Sequence, residues 1–129
     1  MQPELNEQAL NQISELFPTL SVLVLLGSRA TGKTHANSDW DFAFYLSEPD
    51  DFSRLALTEQ LRAQLAAVIG CNIETVDLID LRAANLAMRS VIANEGIALI
   101  TVDNRFWFKF LERTWRELEY WQWEQTHDA

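Results

Sequence analysis

Gly27-Ser28-Arg29-Ala30-Thr31-Gly32-Lys33-Thr34-His35-Ala36-Asn37-Ser38-Asp39-Trp40-Asp41 carries two phosphate-handling patterns laid over each other. From Gly27 to Thr34 it is a complete Walker A sequence, G-x-x-x-x-G-K-[ST]. From Gly27 to Asp41 it reads G-S, ten residues, then D-x-D. Both follow the apolar run Val22–Leu26, so both put a loop at the end of a strand. The two readings part after Lys33: the first needs a helix there, the second a strand.

A Walker A loop holds phosphate with the amides of the helix it enters, together with its lysine and hydroxyl. The residues after Thr34 have no helical apolar period and run within a few positions into Asp41–Leu46, a strand pattern. A P-loop sheet also needs further βα units and a separate acid on a later strand. A chain of 129 residues with this element pattern has no room for them. The second pattern fits its surroundings. Gly27 permits a tight turn, and Ser28 offers a hydroxyl and neighbouring amides to a phosphate. Asp39 and Asp41, two apart at a strand start, point the same way with α-carbons about 6–7 Å apart. Carboxylates at that spacing bracket two metals roughly 3.5–4 Å apart, as in two-metal phosphoryl transfer.

The remaining composition narrows the partners. Ten Lys and Arg against nineteen Asp and Glu give a formal net charge of −9, so a polyanion is repelled overall. Nucleic acid is therefore disfavoured, whereas a small nucleotide chelated by metal feels less of this field. Cys71 is the only cysteine, which excludes an internal disulfide and fits a reducing cytoplasm. No apolar run is long enough to cross a bilayer, and the start Met1-Gln2-Pro3-Glu4 is not a secretory signal.

Outward from the motif, the pattern predicts a helix carrying Leu5, Ala9, Ile13, Leu16 and Phe17, then a strand over Ser21–Leu26. After the strand Asp41–Leu46 and a turn at Ser47–Asp51, Leu57, Leu61, Leu65 and Val68 mark a helix stopped by Gly70. A strand over Asn72–Ile79, a helix over about 83–94, a strand over Ile97–Val102 and a long aromatic-rich helix over 104–125 complete the chain. Strands alternating with helices predict an α+β (α/β-like) architecture, and no repeat or linker divides residues 1–129, which read as a single domain.

Gly27-Ser28, Asp39-x-Asp41 and Val76-Asp77-Leu78-Ile79-Asp80-Leu81 together resemble the DNA polymerase β-like nucleotidyltransferases, and the small size resembles their minimal nucleotidyltransferase (MNT) branch. The resemblance covers nearly the whole chain, from the first strand to residues 96–102. It implies a short mixed β-sheet flanked by helices and a third acidic residue on a later strand between apolar neighbours. Asp77 matches that place best. Glu74 and Asp80 compete for it, but Asp80 lies nearer the strand end and more naturally caps the next helix. An unpaired carboxylate at Asp77 would be costly to bury, and metal coordination would offset that cost.

By this resemblance Asp39, Asp41 and Asp77 are the catalytic and metal-binding residues for two Mg²⁺ ions. Gly27, Ser28, Arg29, Lys33 and Ser38 contact the nucleoside triphosphate. Arg29 stabilises developing charge; Lys33 reads equally well as a solvated loop lysine, and His35 as a loop histidine. In-line attack on the α-phosphorus would transfer a nucleoside monophosphate and release pyrophosphate.

The tail places Phe106, Trp107, Phe108, Phe110, Trp115, Tyr120, Trp121 and Trp123 on one helix. Trp107, Leu111, Trp115 and Leu118 form a stripe expected to pack on the sheet, and the other aromatics are too many for the same face. A protein partner touched through residues 105–123 follows as an expectation. Stand-alone MNT proteins are paired with a HEPN-family RNase toxin and silence it by moving AMP from ATP onto a tyrosine. The resemblance thus implies an AMP-transferring antitoxin in a hetero-oligomer. A binding-only antitoxin, and a transferase acting on a small molecule or tRNA, remain the alternatives.

Overall fold

The computed structural model describes residues 5–33 and 38–127. A first helix, α1 (Glu7–Leu16), is capped by Asn6, whose side chain accepts the Ala9 amide at 2.8 Å. It leads into β1 (Leu20–Leu26), and a five-residue helix, α2 (Gly27–Thr31), follows at once. After the motif loop come β2 (Trp40–Leu46) and α3 (Asp51–Ile69). The chain closes with β3 (Val76–Asp80), α4 (Leu86–Glu95), β4 (Ile97–Thr101) and α5 (Asn104–His127).

The strands form one sheet in the order β3-β2-β1-β4. β1 is antiparallel to both β2 and β4, while β3 runs parallel to β2 through the α3 crossover. β1 is central and covered on both faces, which is why it is apolar at every position except Ser21. Alternation along β2 divides the core. Trp40, Phe42, Phe44 and Leu46 pack with Leu10 and Ile13 of α1 and Leu61, Leu65 and Ile69 of α3. Ala43 turns to the other face, with Val22, Val24, Leu26, Ile92 of α4 and the flanks of Phe106, Trp107 and Phe110 of α5. Full burial of a side chain such as Phe44 is worth about 1.5–3 kcal/mol over leaving it in water.

Several boundaries differ from the sequence pattern for identifiable reasons. α3 begins at Asp51, well before its apolar stripe, because Asp50 accepts the Ser53 amide at 2.8 Å. Residues 72–75 are not strand: Asn72 accepts the Glu74 amide and caps a 3₁₀ turn, so the strand opens at Val76. Asp80 does not cap α4. It accepts the Arg82 amide in the turn after β3 and pairs with Arg54 at 3.6 Å, and Asn85 caps the helix. On α5 the packed stripe is Phe106, Trp107, Phe110 and the buried Thr114, whereas Trp115, expected to pack, is exposed. The phase of the stripe is set by the α4 contact, where buried Arg89 meets Glu117 at 2.5 Å.

Gly96 marks the closest approach of α4 to the sheet. A Cβ there would lie 2.5 Å from the Ile92 carbonyl oxygen and 2.6 Å from Val24 Cγ1. Gly96→Ala is expected to destabilise the protein by about 1–3 kcal/mol, the usual cost of overpacking, read as a lower urea midpoint at unchanged slope.

Candidate active site

The site assembles where β1 ends and β2 and β3 begin. β1 delivers Gly27, whose φ of +69° turns the chain sharply away from the sheet. The glycine is required twice over, since a Cβ on it would sit 2.5 Å from Asp41 Oδ2. The antiparallel register sets Asp41 opposite Leu26, the last residue of β1. The parallel register of β2 and β3 sets Asp41 beside Asp77. Two carboxylates thus occupy neighbouring strands at one level, near enough for their side chains to share a hydrogen bond.

Partial burial, then repulsion from Asp77 and from Asp39, pushes the Asp41 carboxyl above its ordinary range. Asp41 is half-buried, but Asp39 and Asp77 are both exposed. This corrects one expectation: Asp77 is the second residue of an edge strand, so the cost of burying it is not what constrains it. Its constraint is the register with Asp41.

Around the carboxylates, Ser28 lies half-buried in the first turn of α2. α2 closes at Gly32 (φ +82°), where the Lys33 amide donates to the Ser28 carbonyl at 3.0 Å. A helix therefore precedes Lys33, β2 opens at Trp40, and β1 is antiparallel to both neighbours. These features exclude the P-loop reading. Lys33 itself is exposed. Thr34 and His35 lie outside the described residues.

Arg29 is engaged in a way that spacing did not reveal. Its Nη2 donates to the Ser38 carbonyl at 2.8 Å, and its guanidinium lies 4.3 Å over the Trp40 ring. It ties the end of the motif loop to α2, and Trp40, buried between the two aspartates, is the platform. Its buried Nε makes no hydrogen bond among the described residues. A tryptophan between two strand-start aspartates was the available signal for this contact.

Among the described residues the carboxylates do not converge into a formed metal cage. Their chemistry nevertheless suits a hard divalent cation: they are all anionic oxygen donors, and repulsion from Asp77 and Asp39 helps raise the Asp41 pKa.

Residues 8–105 match the family model described as polymerase beta, nucleotidyltransferase. The chain belongs to the polymerase β nucleotidyltransferase family. The family's four-stranded mixed sheet with flanking helices is the architecture expected from the motif. Within the family, this chain is 31% identical over 115 residues to the protein adenylyltransferase MntA of Aphanizomenon flos-aquae, covering 85% of this chain and 75% of that one. A crystal structure of a toxin–antitoxin with AMP-PNP superposes with a TM-score of 0.68 at 26% identity, over 94% of this chain and 93% of that chain. A complex of a tri-AMPylated Shewanella oneidensis HEPN toxin with its MNT antitoxin superposes at 0.60 over 93% and 92%, and at 23% identity that likeness speaks for the fold. This family member is a nucleotidyltransferase. Among the described residues, no helix is long and apolar enough to cross a membrane.

Proposed function

We propose that this nucleotidyltransferase is the antitoxin of a toxin–antitoxin pair, moving AMP from ATP onto a tyrosine hydroxyl of a HEPN-family RNase in the cytoplasm. The observation that carries the reading is the register of Asp41 beside Asp77 against the Gly27 turn, in a chain similar to a protein adenylyltransferase. Residues 1–129 act in it as one catalytic domain.

Asp39, Asp41 and Asp77 would hold two Mg²⁺ ions, which supply charge neutralisation on the triphosphate and Lewis-acid activation of the α-phosphorus. Ser28 and the amides beside it grip the terminal phosphates, with Gly27 giving them close approach. Asp77, exposed on the edge strand, faces the incoming acceptor and takes the proton of its hydroxyl. The hydroxyl oxygen bonds to the α-phosphorus, the α–β anhydride bond breaks, and pyrophosphate leaves with the electron pair. Arg29, fixed by the Ser38 carbonyl and the Trp40 ring, would offset developing negative charge, and Lys33 would add one solvated positive charge.

The test incubates the protein with Mg²⁺, α-labelled ATP and the product of the neighbouring operon gene. Label on that partner with wild type, and none with Asp39→Ala, supports the reading. Neutralisation of the partner by Asp39→Ala at full strength would instead establish an antitoxin acting by contact, which the exposed Phe108, Trp115, Tyr120 and Trp123 would serve. Lys33→Ala is expected to reduce kcat/KM about fivefold, as for an exposed charge contact worth roughly 1 kcal/mol. Complete loss of nucleotide binding would contradict the auxiliary role.

A further inference from the structure

Four of the ten Lys and Arg residues of this acidic chain line a single cavity to which Asp39, Asp41 and Asp77 do not contribute. Arg82, Arg89, Lys109 and Arg113 surround a space of about 370 Å³ between the end of β2 and the α4–α5 pair, and no acidic residue among the described ones lines it. Its apolar wall is aromatic. Tyr45 and Phe106 meet at 4.4 Å between ring centroids, and Phe110 lies beside them. The size is within the range of small-molecule sites.

These cations are arranged, not scattered. The Arg82 guanidinium lies 4.3 Å over the Tyr45 ring, and its Nη2 donates to the Leu46 carbonyl at 2.7 Å. Arg89 is buried and fixed by Glu117, which also takes Arg113 at 3.3 Å. Glu117 therefore answers two of the positive charges from behind the cavity wall. The Lys109 amine makes no hydrogen bond or ion pair among the described residues, and its charge is near enough to Asp103 to help lower that carboxyl's pKa. The lining keeps a surplus of positive charge in a molecule of net charge −9. Such a site attracts anions locally against the field of the whole molecule.

We infer that the Tyr45–Arg82–Lys109–Arg113 cavity is a second, metal-independent site for a nucleoside monophosphate, its phosphate on Lys109 and Arg113 and its base against the aromatic wall. Guanidinium and ammonium groups recognise phosphate, and aromatic faces accept any base by stacking. Tyr45 stands four residues along β2 from Asp41, about 13 Å at 3.3 Å per residue and on the same sheet face. A groove of roughly 520 Å³ along β3, lined by Ile79, Asp80 and Ala84 among others, shares Ala84 with the cavity. Ile79 is two residues from Asp77 along β3 and on the same side of the strand. The monophosphate is either free in solution or already esterified to the acceptor; the second source rests on the function proposed above.

Calorimetric titration of the whole protein in EDTA separates these arms. The probes are AMP, AMP esterified to a tyrosine amide, inorganic phosphate and a glutamate-rich peptide. Either adenylate is expected to bind, with Lys109→Glu/Arg113→Glu weakening it at least tenfold and Asp41→Asn leaving it within twofold. Tighter binding of free AMP assigns the site to a soluble nucleotide, and tighter binding of the ester to a modified acceptor. Lys109→Ala, at an exposed helix position, gives a smaller loss in the same direction if the double reversal folds poorly. Absence of adenylate binding overturns the inference, as does loss on Asp41→Asn alone. Phosphate as tight as AMP, or a peptide tighter than either, also overturns it. Failure of label to reach the partner would sink the proposed function while leaving this EDTA titration intact.

Discussion

Asp41→Asn is expected to lower AMP transfer by on the order of 10³-fold or more while making the metal-free protein more stable at neutral pH. The loss follows if Asp41 belongs to the metal clamp proposed above, which would supply several kcal/mol of transition-state stabilisation, at roughly tenfold per 1.36 kcal/mol. The gain follows from the raised pKa of Asp41, caused by partial burial and by repulsion from Asp77 and Asp39. The folded state holds the Asp41 proton more tightly than the unfolded chain does. Its contribution is therefore fully present below the ordinary carboxylate pKa of about 3.9, and it is lost as pH rises through the raised folded value. Asparagine removes the charge that Asp77 and Asp39 repel. In EDTA at pH 7 the variant should melt a few degrees above wild type, and the difference should vanish below about pH 4. Magnesium should stabilise wild type and not the variant. A variant less stable than wild type in EDTA would show that repulsion at Asp41 is not what the site stores.

The sequence pattern and the structure agree most closely where one residue answers two constraints. Gly27 was legible because a glycine at the end of an apolar run marks a turn, and Asp41 because it falls at the start of the strand that follows, whereas Asp39 lies just before β2. Asp77 was legible for a different reason from the one that holds. Its apolar neighbours suggested a buried acid, whereas it is exposed on an edge strand and is placed by pairing with Asp41. Register between strands separated by the nineteen-residue α3 is not written in local periodicity. Nor is the phase of an aromatic-rich helix: Trp107 packs as its spacing suggests, but the buried face continues through Phe110 and Thr114 and leaves Trp115 exposed, with Arg89 of α4 fixed on Glu117. Cation–aromatic contacts such as Arg29 on Trp40 and Arg82 on Tyr45 join residues 11 and 37 positions apart. They emerge only after the sheet has formed.

Gly27→Ala tests the geometry of the site without removing any of its charges. Two effects act together. Positive φ costs an L residue roughly 1–2 kcal/mol, and the new methyl carbon would lie 2.5 Å from Asp41 Oδ2. The carboxylate is the movable party, so it swings away, and the metal-binding geometry moves with it. A misplacement of about 1 Å is enough to cost on the order of 10²-fold in rate, and that is the loss expected in kcat. Gly32 is the control, since it has a similar positive φ of +82° but a Cβ placed on it would meet nothing within 4 Å. Gly32→Ala should therefore share the loss of stability, read as a lower urea midpoint, and keep most of the turnover of the folded protein. If the two variants lose turnover equally per folded molecule, backbone strain accounts for the effect and the contact with Asp41 does not. If only Gly27→Ala loses it, the glycine that ends β1 is there to leave room for the carboxylate of β2.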